Sequence, residues 1–163
     1  LKSIINNTPG AVYRSYTDSN WTMIYMSPKC ETILGYTADE FVKQKVHLAT
    51  ITHPDDVQYV EDEVYASIRE NRQYELKYRL RHKLGHYVFV WEMGAFAGKD
   101  DTGKDLIEGQ VIDFTEVKNN MDQLAKLKNE MEVQAKEIEN ILQTEKQRAE
   151  NQINSQKEIM QKY

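Results

Sequence analysis

The chain has 163 residues, a net charge of −5 and 40% hydrophobic residues, enough for one packed domain of ordinary size plus a further element. The acidic balance gives no electrostatic basis for binding nucleic acid, and the single cysteine, Cys30, excludes an internal disulfide framework. No apolar run reaches the length of a membrane span and no signal peptide is present, so no membrane contact is expected for this segment.

The chain starts at Leu1 rather than Met and stops within a repeating pattern at Tyr163. It reads as a piece of a longer cytoplasmic protein, which could be membrane-anchored elsewhere. Composition also divides it. Residues 1–115 hold every His, Gly and Pro and both Trp, whereas residues 116–163 lack Gly and Pro and have no aromatic before Tyr163. The expectation is a compact domain over 1–115 and a helix over 116–163.

Two short aromatic and β-branched runs, residues 11–17 and 22–26, flank the turn-forming Asp18-Ser19-Asn20 and predict a hairpin. A helical block follows. Ser27 is a candidate N-cap with Pro28 behind it, and Gly35 ends that helix. Thr37 with Glu40 forms a capping-box pattern. A third helix begins at His53-Pro54-Asp55-Asp56 and carries Val57, Val60, Val64 and Ile68 at helical spacing. Residues 74–81 then alternate apolar and charged, a half-buried strand. A turn at Lys83-Leu84-Gly85-His86 leads into a strand from Tyr87 to Ala97, and a polar loop precedes a last strand over 106–114. Strands split by a helical block imply an α+β domain, an antiparallel sheet with short helices on one face.

Six stretches now fall in order: Pro9-Gly10-Ala11-Val12-Tyr13-Arg14, Tyr25-Met26-Ser27-Pro28, Ile33-Leu34-Gly35-Tyr36, His53-Pro54-Asp55-Asp56, the hairpin from Arg79 to Gly85, and Asp113-Phe114-Thr115. With these motifs the first 115 residues resemble a PAS domain (PAS/PAC sensor module), as found in bacterial signal-transduction proteins. The resemblance implies a five-stranded antiparallel sheet cupped around a small pocket. It also implies that Asp113 and Thr115 couple the last strand to the following helix; the bland alternative is that they only end a strand.

A helix over 116–163 would be about 72 Å long at 1.5 Å per residue and has no core of its own to lie on. Val117, Met121 and Leu124 are spaced by 4 and 3, and Leu127, Met131, Gln134, Ile138 and Ile141 by 4, 3, 4 and 3. This is a heptad seam broken by a three-residue step between Leu124 and Leu127. It predicts a homodimeric coiled coil, taken as parallel, against a solvated or folded-back helix.

Inward residues are expected to include Val12, Ile24, Leu76, Tyr78, Leu80, Val90 and Val111, faced by Leu34, Ile51, Val60 and Val64. They either line a pocket for an unknown small molecule or fill a core. Arg14 interrupts its strand and either points to solvent or binds a carboxylate ligand from within. No cofactor is expected. Flavin sensors of the resembled family need a Cys in an Asn-Cys-Arg-Phe-Leu context, and Cys30 lies in Pro28-Lys29-Cys30-Glu31, so flavin is disfavoured and Cys30 reads as a small buried hydrophobe. Haem would need a pocket His; His47, ahead of Leu48-Ala49-Thr50-Ile51, is the best placed, against a capping or surface role. His53 serves its loop, and His82 and His86 flank a hairpin tip in solvent. No metal-ligand spacing or phosphate loop exists.

The sequence thus predicts a non-catalytic sensor that signals through a dimeric helix to an absent output domain such as a kinase, cyclase or chemoreceptor. The competing reading is a protein-interaction and dimerisation module with a filled core.

Overall fold

The computed structural model describes Ile5 and residues 7–163, which fall into two compact units divided after Lys118. In chain order the first unit holds β1 (Ala11–Tyr16), β2 (Met23–Met26), α1 (Lys29–Leu34), α2 (Ala38–Val42), α3 (Leu48–Ile51) and a 3-10 turn (Pro54–Asp56). It continues with α4 (Val57–Arg69), β3 (Tyr74–Arg81), β4 (Tyr87–Lys99) and β5 (Asp105–Asp113). The helix α5 (Thr115–Gln161) starts in this unit and makes up the second.

The five strands form one antiparallel sheet in the order β2-β1-β5-β4-β3. One face is covered by the helical block, and the core lies between them. Tyr74, Leu76, Tyr78 and Leu80 of β3 are buried there with Val88 and Val90 of β4 and Val111 of β5, against Leu34, Phe41, Leu48, Ile51, Val60 and Val64.

The local signals act largely as chemistry dictates. Gly35 ends α1 in the left-handed region at φ 77°, and its N–H donates to Glu31 O. Thr37 Oγ1 accepts the Glu40 N–H at 3.2 Å while the Thr37 N–H donates to Glu40 Oε2 at 2.8 Å. Ser27 behaves differently from a cap. Its hydroxyl accepts the Val12 N–H at 2.9 Å, which ties the start of α1 to β1. The single turn α3 was readable only as an apolar stretch. His53 serves its loop: Nδ1 accepts the Asp55 N–H at 3.1 Å and the ring packs on Tyr87 at 4.7 Å. Asp56 accepts both the Arg79 N–H at 3.0 Å and its guanidinium at 2.7 and 2.8 Å, fixing the helical block to β3.

Two inward assignments are corrected. Val12 is only partly buried and shares the outer sheet face with exposed Arg14; the inward residues of β1 are Ala11, Tyr13 and Ser15. Residues two apart share a face of a strand, so a solvent-facing Arg14 carries Val12 with it. Arg14 pairs with Glu108 on β5, not with anything in the core. Ile24 is 38% exposed, while Met23 and Met26 are buried. The β1–β2 register runs Ser15↔Met23 and then Arg14↔Tyr25, so Ile24 is the extra residue of a bulge and simple alternation fails.

One row across the sheet governs the core. Tyr74 pairs with Gly94, Gly94 with Gly109, and Gly109 with Tyr13. The two glycines leave a floor over which the flanking phenols extend until their hydroxyls meet at 2.5 Å. A Cβ at Gly109 would stand 2.7 Å from Tyr13 Oη, and one at Gly94 would clash with Tyr74 Oη. Gly94→Ala should therefore destabilise the domain by about 1–3 kcal/mol through overpacking. A urea midpoint equal to that of the parent chain would refute this account of the row.

Candidate functional site

Beside that row lies the one buried acid among the described residues. Glu92 on β4 is 5% exposed and sits between Leu76 and Val111 on the inner face. Three phenols from two strands converge on it. Tyr13 donates to Glu92 Oε1, Tyr78 donates to Oε2 at 2.6 Å, and Tyr74 meets Tyr13. Because the Tyr13 proton goes to Glu92, Tyr74 is the donor to Tyr13.

Glu92, Tyr13 and Tyr78 border a cavity of about 10 Å³, room for one water-sized occupant. Its lining comprises Tyr13 and Ser15 of β1, Trp21 of the following turn, Leu48, Thr52, Val60, Val64, Tyr78, Glu92 and Ile107. Trp21 holds a left-handed backbone at φ 51°, is 7% exposed, and packs its ring on Tyr65 at 5.7 Å. Ser15 Oγ is fully buried and has no hydrogen-bond partner.

Of the residues expected at a pocket, the structure brings Val60, Val64 and Tyr78 to the cavity. Leu34, Ile51, Leu76, Leu80, Val90 and Val111 are buried in the surrounding core, outside the lining. Val12, Arg14 and Ile24 are elsewhere, as described. His47 precedes α3, is partly buried, makes no side-chain capping bond and does not line the cavity. Among the described residues no cluster suited to a metal ion is found. Cys30 is buried, its thiol donates to Tyr36 O at 3.3 Å, and burial pushes its pKa up to about 11, far from a reactive thiolate.

Sequence reasoning missed Glu92, Tyr13, Ser15 and Trp21. A signal for Glu92 existed. In residues 88–92 the positions Val88, Val90 and Glu92 fall on one face, so an acid continues an otherwise apolar row. Such an acid must be satisfied internally, and the tyrosines of the neighbouring strands are the available donors.

Burial pushes the Glu92 carboxyl above its ordinary range, while the bonds from Tyr13 and Tyr78 act in the opposite sense. Burial together with the Glu92 charge also raises the Tyr13 and Tyr78 hydroxyls well above the usual phenol range. The groups facing Glu92 are Tyr13 from β1, Tyr74 and Tyr78 from β3, Val111 from β5, and Val60 and Val64 of α4 across the cavity. None is basic. A carboxyl raised on folding binds its proton more tightly in the folded state. Its contribution is fully present below the unfolded value of about 4.3 and is lost as pH rises through the folded value. Glu92→Gln, which keeps a neutral side chain, should therefore gain stability relative to the parent as pH rises from about 4 to about 8. Urea midpoints across that range check this; a parent that gains on the Gln variant would mean the carboxylate is the favoured form.

At the end of β5, Asp113 and Thr115 meet the start of α5. The Thr115 N–H donates to Asp113 Oδ1 at 2.9 Å, and Thr115 Oγ1 accepts the Phe89 N–H of β4 at 3.1 Å. The Phe114 N–H donates to Phe89 O at 2.7 Å. The first residues of α5 are thus bonded to the strand that carries Glu92.

A family model described as the PAS fold matches residues 23–109. A curated relative, the methyl sulfide methyltransferase-associated sensor of Methanosarcina acetivorans, is 29% identical over 119 residues, covering 72% of this chain. The match spans 12% of that relative's length. Among solved structures, a sensory box histidine kinase/response regulator from Burkholderia thailandensis superposes with a TM-score of 0.63 at 21% identity, covering 80% of this chain and 95% of that one. The N-terminal domain of a diguanylate cyclase with PAS/PAC sensor from Marinobacter aquaeolei gives 0.51 at 23% identity, covering 65% and 95%. At these identities the structural likeness concerns the fold.

Proposed function

The chain belongs to the PAS-fold family, and on that premise we propose that it is the sensory module of a larger cytoplasmic signalling protein, reporting the state of its core through α5 to an output domain outside this segment. The observation that carries this reading is the bonding of Thr115 to Phe89 on β4, two residues from Trp91 and three from Glu92. A shift of β4 caused by an occupant of the core would reach the first turn of α5 without crossing a loop. The relatives found among sensors, kinases and cyclases support a regulatory setting, and a kinase, cyclase or chemoreceptor output is the corresponding expectation.

The helix supports a homodimer. Among its residues none is buried, although Val117, Met121, Leu124, Leu127, Met131, Ile138 and Ile141 are large and apolar. A 47-residue helix with such a stripe needs a partner along its length, and a second copy offers the matching heptads. The stripe contains two overlapping seams that share Leu124, Met131 and Ile138. One seam adds Leu127, Gln134 and Ile141; the other adds Met121, Lys128, Ala135 and Leu142. Exchange between them is a rotation of about 50° per helix at 3.5 residues per turn. Each seam carries a polar residue, so the two are close in energy and a small bias from the domain can select one.

The second reading, an interaction and dimerisation module with a filled core, draws on the small size of the cavity. The described lining of the cavity contains neither His nor Cys, so a haem held by His47 is not part of this proposal. The dimer is tested by Leu127→Asp with Ile138→Asp. Light scattering should give the dimer mass for the parent chain and the monomer mass for the double variant. A double variant that remains dimeric would place the interface elsewhere.

A further inference from the structure

The cavity beside Glu92 has a chemical polarity that narrows what it can hold. Among the described residues its polar lining consists of Tyr13, Ser15, Thr52, Tyr78 and Glu92, and none of its lining residues is Lys, Arg or His. Most of the protons there are already committed. Tyr13 and Tyr78 donate to Glu92, and Thr52 Oγ1 donates to Leu48 O at 2.7 Å. What remains free is chiefly acceptor capacity: two further lone-pair sites on the carboxylate, the oxygens of Tyr78 and Thr52, and Ser15 Oγ, which is 1% exposed and unpartnered and also keeps its own hydroxyl proton. An anion would stand against a carboxylate with no cation to offset it. An apolar guest would leave Ser15 and Glu92 with unmet hydrogen-bonding capacity. A guest that donates several hydrogen bonds satisfies both. One that also carries a positive charge neutralises a buried acid that has no basic partner among the described lining residues.

We propose that this cavity is a binding site for a water-sized, hydrogen-donating cation, with ammonium the simplest member of the class and Glu92 and Ser15 its principal acceptors. The volume of about 10 Å³ sets the size limit, since a longer amine would need Trp21 to leave its place in the lining. The proposal rests on the sensory reading and specifies its ligand. It draws on a Glu on an apolar row, two glycines beneath crossing phenols, and a buried serine without a partner.

The test is thermal unfolding of the whole chain at about pH 8, where the carboxyl is most ionised and ammonium still carries its proton. Ammonium, potassium and sodium chlorides are compared at equal ionic strength. Ammonium should raise the midpoint progressively, with the logarithm of its concentration once above its Kd, and by roughly 4 °C at a tenfold excess over the Kd. Potassium, of similar size but without N–H groups, should not. Glu92→Gln and Ser15→Ala, each checked for native circular dichroism, should lose the response. An equal rise with all three salts, no rise at all, or a rise that persists in both folded variants overturns the site. Cysteine cross-linking at Leu127→Cys and Ala135→Cys separates this from the sensory reading. Ammonium binding without a change in cross-linking keeps the site and removes its signalling role. Cross-linking that answers to a different co-purified molecule, with no ammonium effect, keeps the signalling reading and removes the site.

Discussion

A carboxyl group inside the sheet sets the terms for the rest of this domain. Glu92 cannot be buried among Leu76, Val111, Val60 and Val64 unless donors reach it, and among the described residues no basic side chain lines the cavity beside it. The donors are phenols from the neighbouring strands, and they reach it because Gly94 and Gly109 leave the sheet floor bare between Tyr74 and Tyr13. The sheet order matters as much as the residues. With β5 and β4 placed between β1 and β3, tyrosines far apart in sequence arrive at one point from opposite sides. A polar network of this kind is worth having only when fully satisfied, and the unpartnered Ser15 at its margin marks where it remains open.

The same strand that holds Glu92 also holds the start of the long helix. Phe89 exchanges bonds with Phe114 and Thr115, so β4 serves both the interior and the exit from the domain. Asp113 completes the joint by accepting the Thr115 N–H. On the outer side of the sheet, Trp91 packs on Phe114 with ring centroids 6.3 Å apart, and Lys77 lies over both rings. The joint is therefore held by backbone, capping side chain and aromatic packing together, which suits it to pass on small displacements.

Beyond Lys118 the helix obeys different physics. It has no buried residue among those described, so the core of the first unit does not account for its apolar stripe. Two heptad seams that share Leu124, Met131 and Ile138 run along it.

The elements were legible in the sequence because they follow from local chemistry. Alternation over 74–81, the capping box at Thr37 and Glu40, the left-handed stop at Gly35 and the Gly- and Pro-free tail each specify a backbone state within a few residues. The order of strands and helices, and with it the fold class, followed. The phase of β1 was misread at Val12 although Arg14 carried the information, and Ile24 was misread because a bulge is set by the pairing of two strands rather than by either one. The site was not legible at all as a constellation. Tyr13, Tyr74, Tyr78 and Glu92 lie up to 79 residues apart, and only the sheet register decides that their hydroxyl and carboxyl groups meet. Local sequence determines which way a backbone turns and which face is wet; which side chains share one small interior volume is decided by strand order and register, because those set distances that no spacing along the chain can encode.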